Sequence, residues 1–118
     1  MADQLSRAFA ALADPTRRDL LARLSVADAT VGQLAAPYDI TVQAVSKHVK
    51  VLQDAGLISR DGPSHRRPVH LEAAVFDLMT RWIEHYRLQA EDRYRRLDAV
   101  LATMDDAGTT NPPRQESA

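Results

Sequence analysis

The chain has no cysteine in its 118 residues. That absence excludes a disulfide framework, a thiolate metal site and a thiol redox switch. Glycine is scarce, with four in all, and no Gly-rich phosphate-cradling loop occurs. No metal-hydrolase motif and no paired carboxylates of a catalytic kind are present. Ser46 and His48 stand two apart on one predicted helix, about 200° around its axis, and form no nucleophile–base pair. No enzyme is expected. Nor does any apolar run approach the roughly 18 residues needed to cross a bilayer, and the N-terminus lacks the basic and apolar regions of a secretory signal. The expectation is a soluble, cytoplasmic protein without membrane contact. A large excess of one charge is also missing, the formal net being −1.

What is present is a globular composition, 45% hydrophobic and 26% charged, at the length of one domain. The charge is unevenly spread. Residues 41–70 hold Lys47, Lys50, Arg60, Arg66 and Arg67 against Asp54 and Asp61, a local +3, so the chain's −1 leaves −4 for the rest. A basic region on an acidic chain concentrates the attractive field on one surface.

That region begins with the stretch around which the chain is organised. Thr41 is an N-cap residue and Gly56 stands where a C′ glycine closes a helix. Between them Val42, Val45, Val49 and Leu52 fall within one arc and must face a core. Gln43, Ser46, Lys47, Lys50 and Asp54 share the other side, a polar and mildly basic face suited to the DNA major groove. An ordinary surface helix with a solvated face carries the same pattern. The flanking segments decide between the two.

Asp3 caps a first helix with Leu5, Phe9 and Leu12 at helical spacing, ending near Ala13. Asp14-Pro15 reads as an N-cap followed by proline at the first helical position. The second helix runs from Pro15 to about Leu24, with Leu20, Leu21 and Leu24 inward. Its Arg17, Arg18 and Arg23 point outward, either solvated or against phosphate, and Ser25 to Ala29 is a loop. Thr30 caps a short third helix over residues 31–36 that Pro37 stops. Residues 37–40 form a four-residue turn, with Ile40 placed to staple against Val45. Two helices joined by such a turn make a helix-turn-helix whose second member enters the groove.

After Gly56 the period changes to that of strands. Residues 57–60 and 69–71 are short extended segments around Asp61-Gly62-Pro63, strong turn chemistry. The result is a hairpin with His65, Arg66 and Arg67 at its tip, a wing whose arginines reach the backbone or the minor groove. Pro68 makes this ribbon an edge.

These segments resemble the ArsR-like winged-helix transcriptional regulators. The resemblance rests on Ala11-Leu12-Ala13-Asp14-Pro15-Thr16-Arg17-Arg18, on Val31-Gly32-Gln33-Leu34-Ala35, and on residues 45–58, Val45-Ser46-Lys47-His48 through Ala55-Gly56-Leu57-Ile58. It extends over about residues 5–104. It implies a mainly α fold of about five helices with a two-stranded wing, and a homodimer, joined through first and last helices, that represses from an inverted-repeat operator in double-stranded DNA. By the match, Gln43, Ser46, Lys47 and His48 are DNA-contacting positions; Thr41, Ala44 and Lys50 on the same helix, with Arg60, His65, Arg66 and Arg67 of the wing, complete the expected interface. Where the family's wing often ends in an aromatic residue, this chain has Pro68-Val69.

A last helix is predicted from Glu72 to Met104, roughly 50 Å long. Its stripe of Val75, Met79, Trp82, Tyr86, Leu97, Leu101 and Met104 exceeds what one small core covers. With Leu5 and Phe9 of the first helix, Val75, Met79, Trp82, Tyr86, Leu97 and Leu101 are the expected dimer contacts. Residues 105–118 carry no large apolar anchor and read as a disordered acidic tail beyond a 1–104 domain. No cofactor is expected. Many relatives sense metals, but here there is no thiolate, Asp77 lacks a histidine at the required offset, and only His85 with Glu84 and His70 with Glu72 come near a ligand pair. A metal-responsive repressor using such groups and a winged-helix dimer serving protein–protein interaction are the alternatives; the sequence specifies no effector.

Overall fold

The computed structural model describes residues 3–62 and 66–107. The chain divides between Arg81 and Trp82 into two compact units. The first holds α1 (Gln4–Leu12), α2 (Pro15–Val26), α3 (Val31–Ala35), α4 (Val42–Asp54), β1 (Ile58–Arg60), β2 (Val69–Leu71) and the opening turns of α5 (Ala73–Ala107).

Each of the first four helices starts on a side-chain oxygen that takes an amide its own helix cannot satisfy. Asp3 accepts from the Ser6 N–H at 2.7 Å and Asp14 from that of Arg17 at 2.9 Å, with Pro15 at the first helical position. Thr30 and Gln33 form a reciprocal capping box around α3. Thr41 Oγ1 accepts from the Ala44 N–H at 3.1 Å. These caps were all expected from sequence. The end of α4 is equally definite. Gly56 has φ +80°, its N–H donates to the Gln53 carbonyl at 2.9 Å, and the Leu57 N–H donates to that of Leu52 at 3.0 Å. That pair of bonds is a Schellman closure.

Inside the first unit Leu20, Leu34, Leu52 and Leu57 are fully buried beside Val31, Val45, Val49 and Val69. No polar or charged residue is buried among the described residues. α3 packs on α4, and α2 packs on both α4 and β2. β1 and β2 are antiparallel, with Ile58 opposite Leu71, Ser59 opposite His70 and Arg60 opposite Val69.

Several expectations are corrected. Val42, assigned to the inward stripe, is 44% exposed, because the first turn of α4 overhangs the core that Val45, Val49 and Leu52 enter. Helix α2 continues to Val26, and Ala29, placed in a loop, pairs with Val69 through bonds of 2.7 and 3.4 Å. The ribbon is therefore not an edge at Val69, which stands opposite Arg60 on one side and is hydrogen-bonded to Ala29 on the other; Pro68 lies just outside the paired residues. Met79, expected at a dimer contact, is 4% exposed and belongs to the first unit's own core, against which Leu5, Phe9 and Val75 are packed half-buried. α5 extends through Ala107, three residues beyond the expected boundary; the rest of the tail lies outside the described residues.

The second unit is the remainder of α5. Trp82 and Tyr86 meet edge to face, ring centroids 4.9 Å apart, and His85 stands against Tyr86 at 5.0 Å. Arg87 bonds to both Glu84 and Glu91, Arg95 pairs with Glu91 at 2.9 Å and Arg96 with Asp92 at 3.7 Å. These pairs span one helical turn and support the helix. Hydrogen bonds from Arg87 hold the Glu84 carboxyl below its ordinary value.

Gly56 and Gly32 give opposite predictions. A Cβ on Gly56 would lie 2.7 Å from Gln4 Nε2 and 2.9 Å from Val75 Cγ2, on a backbone that L-residues rarely adopt. Gly56→Ala should lower the unfolding free energy by about 1–3 kcal/mol. The same change at Gly32, an exposed helical position with only Thr30 Oγ1 near at 3.9 Å, should raise it by about 0.5–1 kcal/mol. Urea denaturation of the two variants checks both signs.

Candidate nucleic-acid interface

The site is built on α4. Because Val45, Val49 and Leu52 are buried, the helix has a fixed rotation, which leaves Thr41, Gln43, Lys47 and Lys50 exposed and Ala44, Ser46 and His48 half-buried at the margin. Lys50 Nζ lies 3.5 Å from Asp54, one turn on, so Lys47 is the α4 lysine without a carboxylate in an ion pair among the described residues. The α3–α4 turn presents the N-terminal end of α4 outward, where amides and short side chains meet base edges and phosphates in helix-turn-helix proteins.

His48 is held from behind. Arg17 Nη1 lies 3.4 Å from its Nδ1, and Asp14 Oδ2 lies 3.9 Å from the same nitrogen. A guanidinium only donates, so the Arg17 contact is a hydrogen bond in the tautomer whose Nδ1 accepts. The arginine reaching His48 also donates through Nε to the Ala11 carbonyl at 2.7 Å and through Nη2 to that of Ala10 at 3.2 Å. The Arg17 backbone N–H, with the guanidinium's charge adding, holds the Asp14 carboxyl below its ordinary value. Arg17 thus joins the end of α1, the start of α2 and the flank of α4.

Its neighbours behave alike. Arg18 donates to the Leu12 carbonyl at 2.8 Å, and Arg23 donates to those of Leu34 and Gln33 at 2.6 and 3.0 Å. The Arg23 guanidinium also lies over the Tyr38 ring, 5.5 Å from its centroid. Tyr38 bonds to Asp19, and burial, then this bond, raises its hydroxyl pKa. The sequence had these three arginines solvated or on phosphate. Arg18 is exposed and Arg17 and Arg23 half-buried, and all three also engage helix-end carbonyls, an arrangement no local pattern signals because each acceptor lies 6 to 11 residues away.

In the wing, Arg66 and Arg67 are exposed in the turn between the strands, and His65 lies outside the described residues. Arg60 sits opposite Val69 with its Nη1 buried and without a hydrogen-bond partner. Sequence reasoning missed a contact at the wing's base, where His70 meets Asp28 and Asp61; Asp28 is 42 residues away along the chain.

The comparisons agree with this geometry. The helix-turn-helix domain family matches residues 12–61. Over 64 residues the chain is 44% identical to the HTH-type transcriptional regulator Rv2034 of Mycobacterium tuberculosis, a match covering 54% of this chain and 59% of that protein. It is 36% identical over 55 residues to the transcriptional repressor SdpR of Bacillus subtilis, covering 47% and 61%. The chain thus spans about three-fifths of the length of these two relatives. The crystal structure of an ArsR family transcriptional regulator, RHA00566, superposes with TM-score 0.70 at 37% identity, covering 75% of this chain and 98% of that one. The chain belongs to the ArsR family. In this ArsR-family regulator no described helix is long and apolar enough to cross a membrane.

Removing the Arg17 bridge separates its two roles. Arg17→Met leaves the Ala10 and Ala11 carbonyls and His48 without that donor, and should lower the unfolding free energy by about 1–3 kcal/mol. Arg18→Met, losing one exposed bond, should cost less. Thermal unfolding of the two variants ranks them.

Proposed function

We propose that this ArsR-family regulator is a cytoplasmic, dimeric repressor that binds an inverted-repeat operator, α4 in the major groove and the wing on the flanking backbone or minor groove. The observation that carries the proposal is the exposed Gln43–Lys47 face of α4, flanked by an exposed arginine pair in the wing. A helix with donors and acceptors on short side chains reads base edges, while arginines on a ribbon neutralise phosphate. Thr41, Ala44, Ser46, Lys47 and Lys50 line the groove side, and Arg66 and Arg67 lie along the backbone. His48, contacted from behind by Arg17, stands at the margin of that face. Arg60 stands at the wing's base, and His65 belongs with the tip. The repressor among the relatives supports repression as the outcome.

Gln43 accepts and donates to adenine in a bidentate pair, so Gln43→Ala should weaken binding to the specific site by about 1–3 kcal/mol per half-site and spare non-specific binding. Arg67→Ala should weaken binding to all sequences and flatten its salt dependence. Titrations against specific and random duplexes at several salt concentrations test the division. Equal loss from Gln43→Ala on both duplexes would remove base reading from the proposal.

The dimer is supported by the second unit. Trp82, Tyr86, Leu97, Val100, Leu101 and Met104 fall within about 100° of one another around α5, and each is roughly half exposed or more. A two-fold contact presents each of them twice. Leu5, Phe9 and Val75, expected at the same contact, are half-buried within the first unit. Trp82→Ala should cost about 3–5 kcal/mol per protomer of association free energy, shifting the chain to monomer and lowering operator affinity while helicity persists. Sedimentation alongside circular dichroism separates this from a melted fold; a dimer that melts early would move Trp82 into the protomer's own packing.

A further inference from the structure

Three side chains that the proposed interface does not use meet at the base of the wing. His70 on β2 places Nδ1 2.6 Å from Asp28 Oδ2 and Nε2 3.3 Å from Asp61 Oδ2. Asp28 precedes Ala29, which pairs with Val69. Asp61 opens the turn that carries Arg66 and Arg67. A neutral imidazole has one N–H, so it can donate to only one of these carboxylates and turns a lone pair toward the other. Both contacts are attractive together only for the imidazolium, which donates from both nitrogens. The bond to Asp28, then that to Asp61, raises the His70 pKa above its ordinary value.

Among the described residues, the charged groups bonded to the His70 ring are these two carboxylates. Across the ribbon His70 faces Ser59, whose hydroxyl donates to Glu72 at 2.7 Å. Arg60, the next residue of β1, pairs with Val69 and so lies on the reverse face. From α2, which packs against β2, Arg18 and Arg23 are bonded to the carbonyls of α1 and α3.

We infer that His70 is a positioning residue for the wing: as an imidazolium it ties the turn bearing Arg66 and Arg67 to the strand segment at Asp28, and operator affinity follows its proton. The inference rests on the DNA-binding reading above. When the proton leaves, the shorter bond to Asp28 retains the remaining N–H and Asp61 is released. The cluster passes from −1, an imidazolium between two carboxylates, to −2. Loss of the Asp61 contact and an added negative charge beside phosphate both weaken binding. Because the folded pKa is raised, the tie is complete below the ordinary histidine value of about 6.5 and is lost as pH rises through the higher folded value.

Two measurements on the full chain test this. The first is an NMR titration of the His70 ring in the free protein. The second is operator affinity at constant salt from about pH 6 to 9. His70 should titrate above about 6.5, and Asp61→Asn should lower its midpoint. Wild-type Kd should rise with pH, by at most about tenfold per pH unit per protomer, and His70→Gln should flatten that rise. A ring titrating at or below the ordinary value overturns the inference, and so does a pH slope unchanged in His70→Gln. Should the wild type bind no duplex at any pH, the DNA-binding reading fails on its own, and the ring titration alone decides whether the tie exists.

Discussion

Every α-helix ends in carbonyls that its own amides cannot reach, and in a small domain those ends are partly buried. The first unit resolves this with long cationic side chains from one helix. Arg17 and Arg18 of α2 serve the end of α1, and Arg23 serves the end of α3. A guanidinium suits the task because its donors fork and its charge matches the negative end of the helix dipole. The arginines thereby fix where α1 stops, where α3 stops and, through His48, how α4 is flanked. The rotation of α4 is set by its buried Val45, Val49 and Leu52, with the Arg17 contact at its flank.

Much of the fold was legible because it is written locally. N-caps at Asp3, Asp14, Thr30 and Thr41 and the closing Gly56 are short-range chemistry, and each stands where the pattern placed it. The buried stripe of α4 follows from a period of 3.6. What the pattern missed is long-range. The arginine acceptors, the Ala29–Val69 pairing and the Asp28–His70–Asp61 contact join residues that only the assembled fold brings together. Val42 and Met79 show a second limit: periodicity finds an apolar side, but whether a turn overhangs its core or enters it depends on the partner element.

The candidate interface was legible to the same degree. Composition pointed away from nucleic acid, and the local charge of residues 41–70 pointed back. Geometry then divides that charge. Lys50 is partly offset by Asp54 and Arg60 is half-buried, whereas Lys47, Arg66 and Arg67 are exposed. On a chain of net charge −1, the local positive excess of residues 41–70 against an acidic remainder favours one docking orientation of a polyanion over many.

Helix α3 has five residues. A helix that short cannot nucleate alone, since fixing its first turn costs more than its few hydrogen bonds return. Its start is closed by Thr30 and Gln33 and its end is held by an arginine that belongs to α2. The geometry of the turn into α4 thus depends on contacts that α2 supplies. The two helices that would read DNA are not a portable module: cut away from α2, they would keep their sequence and lose the geometry by which it is read.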